Sequence, residues 1–157
     1  MSLPPGLYHL RSVPNWVYPP PEVGGMYASY RNAPNVTVSA EGPGIIPDQV
    51  WEVTPEGDHQ RVLIRPGLLG ESGHFMHCTG FGDNDPIMLG PPSPFILERS
   101  PNAGDRNVYM IRLAAAPREV GVNYCVGTKD RNVVTRAIPV DGRSDIPGWE
   151  FIPSSQP

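Results

Sequence analysis

The residues able to do chemistry are few and poorly grouped. His74, His77 and Cys78 have the types of metal ligands. In a strand, however, side chains alternate with period two, so His74 and His77 point to opposite faces and cannot share a tetrahedral ion without distortion. The expectation is ordinary strand positions and no metal. Phe81-Gly82-Asp83-Asn84-Asp85 has the flavour of a calcium loop, but the later ligands and the closing glutamate are absent, which predicts a solvated turn. The sixteen acidic residues fall mostly in turns and single out no carboxylate pair for glycoside hydrolysis. No Gly-x-Ser-x-Gly and no phosphate-cradling glycine loop occurs. Cys78 and Cys125 each stand two residues before a glycine, at matching places in two segments of the chain. They read as two reduced, buried thiols with nothing nearby to lower their pKa values. Nothing here favours an enzyme or calls for a cofactor.

The elements that hold these residues follow one repeated plan. Short alternating strands open three segments: Gly6 to Leu10, Arg61 to Ile64, and Asn107 to Ile111. A glycine-led strand follows in each, beginning at Gly25, Gly73 and Gly121. Each segment closes on a strand opened by a large aromatic: Trp51, Phe95 and Trp149. A recurrence of about fifty residues marks one supersecondary unit used several times. Three units of about four strands predict an all-β chain, a β-trefoil in a single domain spanning residues 1–157, with repeats of roughly 5–57, 58–105 and 106–153. In this fold function usually sits on loops.

Composition agrees. The chain has 157 residues, enough for one domain with a real core. Its 21 prolines and 17 glycines lie between apolar alternating runs and so read as turns. The best helical stretch, Leu113-Ala114-Ala115-Ala116, runs into Pro117. Net charge is −4 and the twelve Lys and Arg are scattered, which argues against nucleic acid and against an anionic membrane surface. No apolar run approaches the ~18 residues of a membrane span. No secretion signal is visible, so a cytoplasmic location is expected, with Asn35-Val36-Thr37 unglycosylated.

Three loops stand out. The first, from Val13 to Gly25, combines Trp16, Val17 and Tyr18 with Pro19-Pro20-Pro21. Prolines lower the entropy lost when a loop orders against a partner. Trp16 and Tyr18 fit equally well as part of a binding loop or as a satellite cluster on the barrel mouth. The second, Glu41-Gly42-Pro43-Gly44-Ile45-Ile46-Pro47, offers two isoleucines for a partner's cleft or for plugging the barrel. The third, Pro66 to Ser72, presents Leu68-Leu69 between glycines.

Residues spread over nearly the whole chain resemble the mycocypins, mushroom β-trefoil inhibitors of cysteine proteases. They include Gly6-Leu7-Tyr8-x-Leu10-Arg11-x-Val13, Val23-Gly24-Gly25-x-Tyr27-Ala28 and Val38-x-Ala40-Glu41. Trp51-x-Val53-Thr54, Ile96-Leu97, Val108-Tyr109-x-Ile111-Arg112, Pro139-Val140-Asp141-Gly142 and Trp149-x-Phe151 continue the match. The resemblance implies reversible inhibition of papain-like cysteine proteases such as papain and the cathepsins. Two loops would wedge across the protease cleft without offering a substrate-like bond. Carried over, one is Pro20, Pro21, Glu22, Val23, Gly24, Gly25 and Met26, with Gly24-Gly25 nearest the catalytic cysteine. The other is Glu41, Gly42, Pro43, Gly44, Ile45 and Ile46. Glycines let backbone approach a narrow cleft closely. A third family site would occupy Leu68, Leu69 and Gly70, where some members use an asparagine against legumain. Leucine there argues against legumain, whose pocket rewards an amide, and suits an apolar serine-protease pocket instead. A fungal source is implied; defence and endogenous regulation both remain open as roles.

A β-trefoil lectin is the alternative. Gln49-Val50-Trp51 fits the Gln-x-Trp signature of ricin-like lectins, but the equivalent positions read Ser93-Pro94-Phe95 and Pro147-Gly148-Trp149.

Overall fold

The computed structural model describes residues 3–17, 25–40, 47–57, 61–67, 74–117, 119–142 and 145–154. Within them the first four strands are β1 (Gly6–Val13), β2 (Met26–Ser29), β3 (Thr37–Ala40) and β4 (Trp51–Pro55). Next come β5 (Arg61–Pro66), β6 (Phe75–Cys78), β7 (Ile87–Gly90) and β8 (Phe95–Arg99). The last are β9 (Val108–Leu113), β10 (Val122–Lys129), β11 (Asn132–Pro139) and β12 (Gly148–Pro153). The one helical element among the described residues is a 3₁₀ turn, Pro47–Gln49. Leu113-Ala114-Ala115-Ala116 is the end of β9 and a turn, as Pro117 requires.

Six strands pair antiparallel in a closed ring. Tyr8 of β1 lies opposite Trp51 of β4, and Val53 opposite Ile64 of β5. Val62 then lies opposite Phe95 of β8, which in turn faces Leu113 of β9. Tyr109 meets Trp149 of β12, and Phe151 returns to Leu10 of β1. The closed ring leaves the barrel no unpaired edge. The remaining strands form three hairpins, β2–β3, β6–β7 and β10–β11, one per repeat. This is the β-trefoil the repeat predicted.

Alternation puts one side chain in two inside the ring. Tyr8, Leu10, Trp51, Val53, Ile64, Phe95, Ile111, Trp149 and Phe151 are all buried in the main core. The repeat aromatics occupy related places. Trp51 Nε1 donates to Ala28 O at 3.0 Å, and Trp149 Nε1 donates to Val126 O at 2.9 Å. Each ties a barrel strand to the second strand of its own repeat; Phe95 fills the third place without a donor. Phe151 meets Tyr8 and Tyr109 edge-on, with ring centroids 6.0 and 5.6 Å away.

The hairpins close the barrel's end by bonding to one another. Val36 N donates to Ile87 O at 3.3 Å and Val133 N to Val36 O at 3.0 Å. Leu89 N reaches Pro34 O at 2.7 Å, linking the first two hairpins again.

Candidate functional site

The loop pair singled out in the sequence springs from one place. Met26 at the start of β2 lies opposite Ala40 at the end of β3. The chain that enters through Gly25 and the chain that leaves through Ala40 are therefore neighbouring strand ends, ~5 Å apart. Pro20, Pro21, Glu22, Val23, Gly24 and the segment Glu41, Gly42, Pro43, Gly44, Ile45 and Ile46 lie outside the described residues, as do Leu68, Leu69 and Gly70. The structure shows what anchors them.

Gly25 has φ 103°, a backbone state that side chains rarely adopt. A Cβ there would stand 2.7 Å from Arg11 Nε. Two independent constraints thus demand glycine at the end of the first loop. Arg11 cannot easily yield, because it is buried and paired: its NH1 donates to Glu150 Oε1 at 3.2 Å. Glu150 also accepts Arg106 in a two-pronged pair, Nε to Oε2 at 2.7 Å and NH2 to Oε1 at 2.6 Å. One carboxylate therefore holds two guanidinium groups beneath the root of the loop. Met26 is half-buried and packs against the main core, so it anchors the loop end.

The other end of the first loop is fixed by Trp16, and here the structure chooses between the two readings. Trp16 is half-buried against Met110, Cys125, Ile138 and Ile146, as a satellite cluster outside the barrel. Its N donates to Ile146 O at 2.8 Å and its O accepts the Ser100 hydroxyl. Gly148 permits the approach: a Cβ there would meet Trp16 Cβ at 2.6 Å. Asn102 Nδ2 then binds Val17 O at 2.9 Å. Tyr18 lies outside the described residues.

The second loop is tied down by Gln49. It is buried, and its Nε2 donates to Ser39 Oγ at 2.8 Å. Ser39 immediately precedes the strand end at Ala40, so Gln49 pins the loop's exit beside its entry. In this chain the glutamine of the Gln-x-Trp sequence is a structural tie. Ser93 at the equivalent place does similar work, accepting Cys78 N at 3.1 Å and pairing with His77 Nδ1 at 2.8 Å. The third loop begins at Gly67, whose N donates to Val50 O at 2.9 Å. A Cβ on Gly67 would meet Leu7 at 2.9 Å. The root of the third loop thus adjoins the return of the second.

The other candidates serve the scaffold. The Phe81–Asp85 turn is docked rather than simply solvated. Asp83 Oδ1 accepts Arg136 Nε at 2.9 Å and Ala137 N at 3.1 Å on β11. Burial would raise the Asp83 pKa, but these donors hold it below the usual value. Asp85 Oδ2 accepts Gly82 N at 2.8 Å, which closes the turn on itself. Both cysteines are free. Cys125 is buried, and desolvation pushes its thiol up to about 12. Cys78 is half-buried, a correction to the expectation of two buried thiols; desolvation raises it as well. Neither is a nucleophile at neutral pH. Trp16, Gln49 and the Arg11–Glu150–Arg106 group were not legible as supports, because each acts on residues distant in sequence.

With this geometry in hand, comparison with known proteins is informative. The family described as peptidase inhibitor clitocypin matches residues 6–151. Clitocypin-5 of Clitocybe nebularis is 35% identical over 152 residues, covering 96% of this chain and 97% of that protein. Among solved structures, the Rhizoctonia solani agglutinin superposes with TM-score 0.64 at 14% identity, over 98% of this chain and 99% of that one. The PSL1a–E64 complex gives TM-score 0.67 at 14% identity, over 96% of this chain and 48% of that one. At such identity the two structures speak for the fold alone.

Proposed function

This chain belongs to the clitocypin family of peptidase inhibitors, and from that premise we propose that it reversibly inhibits papain-like cysteine proteases by laying two loops across the active-site cleft. The loops are residues 20–26 and 41–46. The observation that supports the reading best is the Met26–Ala40 pairing, which starts both loops from adjacent strand ends. A wedge needs two segments presented side by side from a rigid base. The base here is a buried barrel, with the Arg11–Glu150–Arg106 group under one root and Gln49 under the other. Gly24-Gly25 would come nearest the catalytic cysteine, where the absence of a Cβ lets backbone enter a narrow cleft. Gly25 is exposed, as that role needs.

The inhibitor is an obstruction and performs no chemistry. Burial raises the pKa of both thiols, and Asp83 and Asp85 are spent on scaffold contacts. Legumain is not a target, because Leu69 stands where an amide would be needed. A lectin role is the weaker reading, because the Gln-x-Trp sequence occurs once and the equivalent positions read Ser93-Pro94-Phe95 and Pro147-Gly148-Trp149.

Titration of papain with the purified protein tests the proposal. Stoichiometric loss of activity that returns on dilution is the expected result. Gly24→Arg should weaken inhibition at least about tenfold while the melting temperature stays put. Unaltered inhibition by that variant would remove the first loop from the wedge, and no inhibition of papain or a cathepsin by the native chain would overturn the function.

A further inference from the structure

A cleft away from the loop pair has the makings of a ligand site. Arg61 of β5 lies opposite Ile96 of β8, and Ile96 lies opposite Arg112 of β9. Directly opposed residues share a face of the sheet. Their chain neighbours Val62, Phe95, Leu97, Ile111 and Leu113 fill the barrel, so this row stands on its outer wall. Two arginines thus flank one isoleucine, with backbones ~10 Å apart across two strand spacings. With Ala114, Ala116, Pro117 and Glu119, which follow β9, this row lines a cleft of about 350 Å³. That volume is in the range of small-molecule sites.

The cleft sets two guanidinium groups along one row of the barrel wall. Arg11, Arg31, Arg65, Arg106 and Arg136 all pair with carboxylates, and Arg99 donates to two carbonyls. Arg61 and Arg112, like Arg131 elsewhere on the surface, have no such partner among the described residues, although the chain carries net charge −4. The one carboxylate lining the cleft, Glu119, lies near Tyr124 and, after desolvation, helps to raise the pKa of its hydroxyl. Apolar residues Ala116, Pro117 and Val122 also line the cleft. Arginine forks match carboxylate and phosphate oxygens in two-pronged geometry.

We propose that this cleft binds a small organic anion, a carboxylate or phosphate monoester carried on a compact apolar body. The anionic group sits between Arg61 and Arg112, and the body lies on Ile96 and against the Ala116–Pro117 wall. This site is independent of the protease-facing loops.

The test is an NMR titration of ¹⁵N-labelled full-length protein with benzoate, phenyl phosphate, inorganic phosphate and benzyl alcohol. Benzoate or phenyl phosphate should shift the amides of Ile96, Leu113, Val122 and Tyr124 saturably. The tighter of the two identifies the anionic group. Inorganic phosphate lacks the apolar body and benzyl alcohol lacks the charge, so both should bind at least about tenfold more weakly. Arg61→Gln and Arg112→Gln should each weaken the better anion about tenfold. Both side chains are exposed, so the variants should melt with the native protein. Absence of saturable shifts, equal binding of benzyl alcohol, or affinity unchanged in both variants would each overturn the proposal.

Discussion

Gly25 shows how much a single position can hold. Its left-handed backbone and the nearby Arg11 side chain act against any Cβ. Gly25→Ala should therefore destabilise the protein by about 1–3 kcal/mol and also weaken papain inhibition, because the loop end must move away from Arg11. Chemical denaturation and an inhibition assay on the same sample check both effects; an alanine variant with native stability would show that Arg11 does not constrain the loop. Cys125 carries a second prediction. Its folded-state pKa of about 12 exceeds the ordinary 9.0. Above pH 9 the unfolded chain releases this proton while the folded one retains it. Stability due to Cys125 is thus fully present below pH 9 and falls as pH rises towards 12. Cys125→Ala should show a shallower alkaline decline in unfolding free energy than the native chain. An identical slope would place the thiol's environment in doubt. The sequence made both thiols visible but not their difference in burial, which depends on the cluster that Trp16 completes.

Among the elements, the β2–β3 hairpin decides where the two loops go. Gln49 is the fastening, and Gln49→Ala should cost about 2 kcal/mol, since it leaves a buried site empty and Ser39 without its donor. Inhibition should fall further than the stability loss alone explains, because the exit of the second loop is freed. A variant that unfolds more easily yet inhibits unchanged would assign Gln49 to stability only. The third loop belongs to a different strand pair, β5 and β6. Leu69→Asn should leave papain inhibition unaltered and, if the loop reaches the pocket, introduce weak legumain inhibition. Potent legumain inhibition by the native chain would contradict the specificity assigned to Leu69. Strand positions and the loop between β5 and β6 were legible from alternation and turn residues. The Gly67–Val50 bond that joins the flanks of the second and third loops was not.

At the scale of the molecule, closure of the ring couples the chain's two ends. β1 pairs with both β4 and β12, so the first and last strands stabilise each other. Trp149→Ala should cost about 3–5 kcal/mol, the usual loss for a large buried aromatic, and should also strip the bond to Val126 O. A loss below about 1 kcal/mol would contradict its place in the core. Glu150 ties β12 to Arg11 of β1 and to Arg106 ahead of β9. Glu150→Gln would remove the carboxylate that both guanidinium groups share, and chemical denaturation should show a cost of about 3 kcal/mol or more.

The sequence by itself determined three strands of each repeat, their threefold recurrence and the aromatics that close each one, but did not locate β3, β7 or β11. These are local or periodic properties: alternation of period two, turn residues and a repeat can be read along a single chain. It also located the loops and, through resemblance, their family. Only the tertiary structure decided what supports them. Arg11 comes to Glu150 across 139 residues, Trp16 to Ser100 across 84 and Cys78 to Thr135 across 57. Such partners are chosen by how a closed barrel packs its outer face against hairpins and loops, and no spacing along the chain encodes that choice. The approach of Arg61 to Arg112 belongs to the same class, because strands β5 and β9 become near neighbours only through β8.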